Sequence, residues 1–270
     1  MSDVVVHVEA PSRLHFGLFS FGQSHLRQFG GVGAMLNEPG LKLSVSARPD
    51  SSDVVTSDPD GWQATGPHAE RALAFAREWR AANDASSLPP LRLEIQSAPP
   101  EHVGLGTGTQ LALAVAAALH AFQDPNWTLP DSSDLGSMEP ARLAGGVGRG
   151  KRSSIGSHGF AWGGLLVESG KRHATEISPL TCRTNLPDAW RFVLARPLRE
   201  QGLSGDGERR AFGGLPPVPV ETTAELCREA LTGLLPAARV GGFAEFSGSL
   251  YRFGQLAGKC FAAAQGGTFA

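Results

Sequence analysis

Pro100-Glu101-His102-Val103-Gly104-Leu105-Gly106-Thr107-Gly108-Thr109-Gln110 lies between two segments of different periodicity, and its reading decides the fold. Upstream, Leu91, Leu93 and Ile95 alternate with Arg92, Glu94 and Gln96, the period-two pattern of a half-buried strand. Downstream, Leu111 to Phe122 is apolar almost all round, which predicts a largely buried helix. The first N–H groups of that helix have no partner within it, so they open onto the glycine-rich turn. Free donors at the positive end of a helix dipole suit a phosphate or diphosphate. Gly104, Gly106 and Gly108 allow close backbone approach and positive φ, while Thr107 and Thr109 offer a helix cap or a hydroxyl for the ligand. With Gln110 these are the candidate phosphate-binding residues. The same residues also describe an ordinary strand-to-helix turn with a threonine cap.

Working outward, Val4 to Val8 and Leu41 to Ala47 read as strands, and Asp50 to Gly66 as a polar loop or hairpin. His68 to Ala82 is helical by pattern, with Ala69, Ala72, Leu73, Phe75, Ala76 and Trp79 inward and Arg71, Glu78 and Arg80 toward water. A short helix around Pro140 to Leu143 precedes a glycine-rich middle, and Phe160 to Glu168 reads as an apolar strand. Beyond Ile177 prolines divide the chain into short runs, which places a domain boundary near residue 180. The units are 1–180, carrying the cradle, and 181–270. In the second, Trp190 to Ala195 is expected as a strand, and Glu221 to Leu235 and Gly242 to Ala264 as helices. Strands followed by mixed helices make an α+β protein.

The 270 residues are 41% hydrophobic, enough for one large core or two modest ones. A net charge of −2 argues against a general nucleic-acid binder. No run approaches the ~18 apolar residues of a membrane span, and Met1 to Glu9 lacks the pattern of a signal peptide. The expectation is a cytoplasmic protein acting on small molecules, with neither nucleic acid nor membrane as partner; a homodimer is compatible with the reading. Cys182, Cys227 and Cys260 are odd in number and far apart, so they read as reduced thiols rather than a disulfide or zinc set.

Gly145-Gly146-Val147-Gly148-Arg149-Gly150-Lys151 nearly spells the P-loop of nucleotide hydrolases, but Arg152 replaces the magnesium-binding hydroxyl and no strand precedes it. What remains is a flexible basic turn, Arg149, Lys151 and Arg152, ahead of Ser153, Ser154 and His158. A solvated surface turn accounts for it equally well. Arg13 and His15, two apart in extended chain, share one face and can bind an anion and move a proton; each also suits a structural hydrogen-bonding role. The basic side chains are 20 Arg and 4 Lys. That imbalance fits phosphate and carboxylate recognition, or codon bias.

Pro-x-x-x-Gly-Leu-Gly-Thr leading into an alanine-rich helix resembles the phosphate-binding motif of the GHMP kinase superfamily. The strings APSRLHFGL, HVGLGTGTQLALAVAAAL and GRGKRSSIGSHGFAWGGLLVESG are similar to its beta-ribofuranosylaminobenzene 5'-phosphate synthase branch. The resemblance covers Val4 to Ala270. It implies an N-terminal domain like ribosomal protein S5 domain 2 and a smaller C-terminal α/β sandwich, with substrate between them. It implies condensation of phosphoribosyl diphosphate with 4-aminobenzoate, or a related 4-substituted benzoate, releasing diphosphate and carbon dioxide in tetrahydromethanopterin biosynthesis. Mg²⁺ accompanies the diphosphate, and no metal-ligating residues are assigned. On this reading Arg13 and His15 are catalytic, Arg149, Arg152 and Ser153 join the cradle as substrate ligands, and Lys151 is the solvated member. Branch members continue past Gln265-Gly266-Gly267-Thr268 through a further helix and strand, so the expectation is an incomplete C-terminal domain. An ATP-dependent small-molecule kinase of the superfamily and a non-catalytic binding homologue are the alternatives.

Overall fold

In the computed structural model, the described residues are 4–47, 56–83, 85, 88–195 and 212–269. Two long strands, β1 (Val5–Leu18) and β2 (Gly31–Ala47), form an antiparallel pair through which the rest of the sheet is organised. The free edge of β2 is shared. Its C-terminal half pairs with β5 (Leu91–Ser97), and its N-terminal end pairs with β6 (Leu165–Glu168), both antiparallel. Two short strands, β3 (Thr56–Ser57) and β4 (Gln63–Thr65), extend the sheet beyond β5, and β7 (Leu180–Thr184) extends it beyond β6. Among the described residues, these seven strands make one sheet.

The helices are α1 (Ala69–Ala82), α2 (Thr107–Gln123), α3 (Glu139–Gly146) and α4 (Ile155–Trp162), then α5 (Val220–Arg228), α6 (Leu235–Val240), α7 (Phe243–Lys259) and α8 (Ala262–Gln265). Because α2 is apolar on every side, it can be stable only when enclosed. It packs against β1, β2, α1, α3 and α4, and Leu111, Leu113, Val115 and Leu119 are completely buried. Each such side chain contributes about 1.5–3 kcal/mol of burial. Leu91, Leu93 and Ile95 of β5, together with Leu73, Phe75 and Trp79 of α1, close this first core. A second core sets Val32, Ala34, Leu165 and Val167 against Leu226, Leu234, Phe246 and Phe253 of the C-terminal helices.

The helix expected at 221–235 runs on to Val240, but a π-helical turn over Glu229–Leu234 interrupts it. Gly233 in that turn lies where a Cβ would stand 2.4 Å from Ser249 Oγ of α7, a close approach only glycine permits. Two expectations are corrected. The apolar run from Phe160 is helix through Trp162 and becomes strand only at Leu165, because buried Gly156, Ser157, His158 and Gly159 belong to α4. Trp190 to Ala195 forms no strand; Trp190 instead packs its ring on Phe243 and Phe246, and Phe192 stacks on Phe16. The hairpin within 50–66 appears as the β3–β4 pair, and residues 50–55 lie outside the described residues. The three cysteines are free and half-buried. Among the described residues, no helix is long and apolar enough to cross a membrane.

Truncating Leu113 to Ala should cost about 2–5 kcal/mol, because rigid neighbours on several elements cannot collapse into the space left behind. Urea denaturation of wild type and variant measures it.

Candidate functional site

The cradle forms where α2 begins. Its N-cap is Gly106 in the left-handed region, φ 70°, and no side chain caps the helix. This corrects the threonine-cap expectation, since the Thr107 hydroxyl donates instead to the carbonyl of Pro100 at 3.0 Å. Gly104 is also left-handed, φ 81°, with open space where its Cβ would be. The main-chain N–H groups of Leu105, Gly106, Thr107 and Gly108 donate to no other described group. They form a nest of donors at a helix start.

Strand β1 passes directly beneath. The Arg13 N–H donates to the Leu105 carbonyl at 2.8 Å, and a Cβ on Gly106 would stand 3.1 Å from Arg13 Cβ. Register pairs Arg13 with Met35 and His15 with Gly33, so both side chains leave the same face of the sheet, toward α4. On that face the Gln110 amide donates to the Gly156 carbonyl at 3.0 Å, Thr109 packs beside Gly156, and Gln110 Oε1 is buried without a partner. His15 Nε2 lies 3.0 Å from Ser153 Oγ. The structure thus brings Arg13, His15, Gly106, Thr109, Gln110 and Ser153 together. Arg152 is close enough to act on His15 electrostatically, and its guanidinium lies over the Phe212 ring at 5.2 Å.

Arg149 takes the other side. It lies over the Phe75 ring at 4.7 Å, with Arg71 over the same ring at 5.6 Å. Arg71 pairs with Glu101 at 2.6 Å, and a Cβ on Gly108 would stand 2.5 Å from its guanidinium. Arg71 therefore does not simply face water as its helical position predicts; it lies against the first turn of α2. Glu78 is exposed as expected, whereas Arg80 is drawn onto buried Asp58 and the Trp62 ring. Arg149 has its pKa lowered by burial first and by Arg71 second. Beside it, Phe75, Glu78, Val147, Gly148 and Lys151 line an open cleft of about 590 Å³ that does not reach His15. Lys151 is exposed, as the sequence implies.

Two buried charges lie under the basic turn. Lys171 donates its ammonium to the carbonyls of Gly150, Lys151 and Ala174, tying the turn down. Glu168, wholly buried at the end of β6, accepts the Ser154 N–H at 2.7 Å. Burial pushes its carboxyl up to about 7, against the opposing pull of the Ser153, Ser154 and Ser178 donors and of Arg13. His15 is driven down to about 3, by desolvation first and then by Arg13 and Arg152, so it is neutral at pH 7. Sequence reasoning missed Arg71, Gly156 and Glu168. For Arg71 the helix pattern holds no signal, whereas a glutamate closing an apolar strand is one.

Residues 68–159, spanning α1 to α4, match the family model of the GHMP kinases N terminal domain. Curated relatives called beta-ribofuranosylphenol 5'-phosphate synthase include the protein of Archaeoglobus fulgidus, 30% identical over 93% of this chain and 76% of its own length. Another, from Methanothermobacter thermautotrophicus, is 29% identical over 90% of this chain and 73% of that protein. Among solved structures, Streptococcus pneumoniae phosphomevalonate kinase superposes with TM-score 0.59 at 13% identity, over 95% of this chain and 80% of the kinase. Mevalonate pyrophosphate decarboxylase of Streptococcus pyogenes gives 0.58 at 12% identity, over 99% of this chain and 78% of that one. These two share the fold, the α+β architecture of GHMP kinases.

Gly106→Ala should strain the left-handed cap by about 1–2 kcal/mol and crowd Arg13. Calorimetry should show diphosphate affinity falling at least tenfold, while Tm drops only about 2–8 °C. The two shifted groups act on stability with opposite sign. His15 contributes stability fully present above about pH 6.5 and lost as pH falls toward about 3. Glu168, whose native pKa is raised, contributes stability present below about pH 4.5 and lost as pH rises through about 7. Glu168→Gln should abolish the second loss, seen as a smaller difference in urea midpoint between pH 5 and pH 8.

Proposed function

The chain belongs to the beta-ribofuranosylphenol 5'-phosphate synthase family, and on that footing we propose that it joins phosphoribosyl diphosphate to a 4-substituted benzoate, releasing diphosphate and carbon dioxide. The observation that carries this reading is the row of free amides from Leu105 to Gly108, set beside Arg13 and a neutral His15. Departure of diphosphate leaves an oxocarbenium-like sugar, so fixed donors must receive the charge that develops on the leaving group. The cradle supplies them without reorganisation.

The ring carbon bearing the carboxylate then attacks the sugar carbon. A carbon–carbon bond forms, the bond to diphosphate breaks, and loss of carbon dioxide returns an electron pair to the ring. A para donor is needed to push electrons into that carbon. Because the relatives' name carries a phenol, a para hydroxyl leads over the para amino group of 4-aminobenzoate in this proposal. His15 takes the para proton as the ring loses aromaticity and returns it afterwards; at pH 7 it is in the charge state this requires. Arg13 or Arg152 orients the carboxylate. Arg149 and Arg71, across the first turn of α2, hold phosphate oxygens.

Among the described residues, no group of three or more His, Cys, Asp or Glu is arranged to hold a metal, and Glu101, the carboxylate nearest the cradle, is paired with Arg71. Among the described residues, these groups do not make a resident metal site. We take Mg²⁺ to arrive bound to the diphosphate, as part of the substrate. The proposal places the reaction in the cytoplasm and in tetrahydromethanopterin biosynthesis, with small-molecule substrates; a homodimer is checked by sedimentation.

Incubation with phosphoribosyl diphosphate and carboxyl-labelled 4-hydroxybenzoate, with 4-aminobenzoate alongside, should release labelled gas in step with diphosphate. ATP-dependent phosphorylation without gas release would overturn the proposal. Arg13→Ala should lower kcat/KM by about 100-fold or more, the scale of losing one fixed donor to developing charge.

A further inference from the structure

Glu168 has no assigned role in the reaction, yet it sits one residue pair from the site. Register pairs Glu168 with Gly31, and a Cβ on Gly31 would stand 3.4 Å from His15 Cε1. Glutamate and imidazole therefore flank the same glycine, on the same face of the sheet. Ser153 lies between them. Its hydroxyl is 3.0 Å from His15 Nε2, while the N–H of the adjacent Ser154 donates to the Glu168 carboxylate at 2.7 Å, and the Ser153 side chain draws the pKa of that carboxyl down against the larger effect of burial. Glu168 Oε1 is buried with no donor on it among the described residues.

The hydrogen-bond inventory admits two arrangements. Ser153 Oγ has two lone pairs and one proton. One lone pair takes the Ile155 N–H at 3.3 Å. If Glu168 is ionised, the serine proton turns to the carboxylate and the remaining lone pair accepts Nε2–H of His15, leaving Nδ1 as a bare acceptor. With Glu168 protonated, its O–H fills that lone pair, the serine proton goes to Nε2, and Nδ1 carries the hydrogen. Both arrangements satisfy Ser153 and Nε2, and they leave Nδ1 an acceptor in the first and a donor in the second.

We propose that Glu168 is a positioning residue that acts through Ser153 to set which ring nitrogen of His15 carries the proton. The ionised form makes Nδ1 a base, able to take the para proton of the aromatic acid; the protonated form makes it a donor. The use of that base rests on the synthase reading, whereas the relay rests on the placement of Ser153 and Ser154 between the two side chains. The charged groups that act on Glu168 are Arg13 from β1 and Lys171 beyond β6, which itself faces Glu176, while Arg152 from the basic turn acts with Arg13 on His15. Desolvation first, and then the guanidiniums of Arg13 and Arg152, hold His15 neutral, so the proton that moves near neutrality belongs to the carboxyl.

Nitrogen NMR of labelled protein tests this directly, with the His15 signals assigned by their loss in His15→Asn. The expected result is Nε2–H at pH 9 and Nδ1–H at pH 5, exchanging with a midpoint near 7. Glu168→Gln, whose amide donates to Ser153 at every pH, should hold Nδ1–H throughout and should also flatten the limb near pH 7 in kcat. A single tautomer at both pH values in the folded wild type overturns the proposal, as does Glu168→Gln titrating like wild type. Should Glu168→Gln fail to fold by circular dichroism, Ser153→Ala decides, because a tautomer exchange that survives without the hydroxyl rules the relay out. A relay found intact in a protein that releases no carbon dioxide leaves this inference standing and removes the synthase reading instead.

Discussion

Helix α2 has no polar side, and most of the molecule is arranged to satisfy that constraint. A cylinder that is apolar all round must be covered by β1, β2 and three other helices, so only its ends meet polar surroundings. At the N-terminal end the donors that the helix cannot satisfy emerge beside β1, and glycine keeps that exit open. Position and chemistry thus have one cause. The burial that stabilises the protein also fixes, to within a side chain's reach, where Arg13 and His15 stand relative to a row of free amides.

Around this axis the cations divide into two groups. Arg13 and Arg152 act on His15, whereas Arg71 and Arg149 share the Phe75 ring on the far side of the first turn of α2. Glu101 offsets part of the second group and Glu168 part of the first. On the proposed reading, the aromatic carboxylate meets the first group and phosphate oxygens meet the second. Keeping the imidazole uncharged in this setting needs no special device, since desolvation and then two neighbouring guanidiniums already oppose protonation.

Much of this was legible in the chain itself. The alternation in β5, the stripe of α1 and the apolar sweep of α2 are periodic signals that tertiary contacts reinforce, and the glycine-rich turn between them fell where the strand and helix patterns required. Other features depended on distant residues. Nothing local distinguishes Arg71 from Arg77 on α1; only the approach of Gly108 makes the difference. Phe160 to Trp162 belongs by composition to the apolar run that ends at Glu168, and periodicity cannot separate the end of a buried helix from a buried strand over so short a stretch. Trp190 to Ala195 has strand-like composition, but its aromatic rings found partners on α7 and β1 before its backbone found a ladder. Glu168 was visible as an oddity, a carboxylate ending an apolar run, but its meaning required the register with Gly31.

Lys171 carries a further consequence. Its ammonium gathers three carbonyls of the turn and its flank, and that turn supplies one arginine to each half of the site. The two guanidiniums never meet, yet their separation is a property of this one buried cation, much as a keystone sets the span between piers it does not touch. Two of the carbonyls it holds, those of Gly150 and Lys151, lie between Arg149 and Arg152 in the chain, so the span between the two halves is fixed from beneath the turn rather than from within the site.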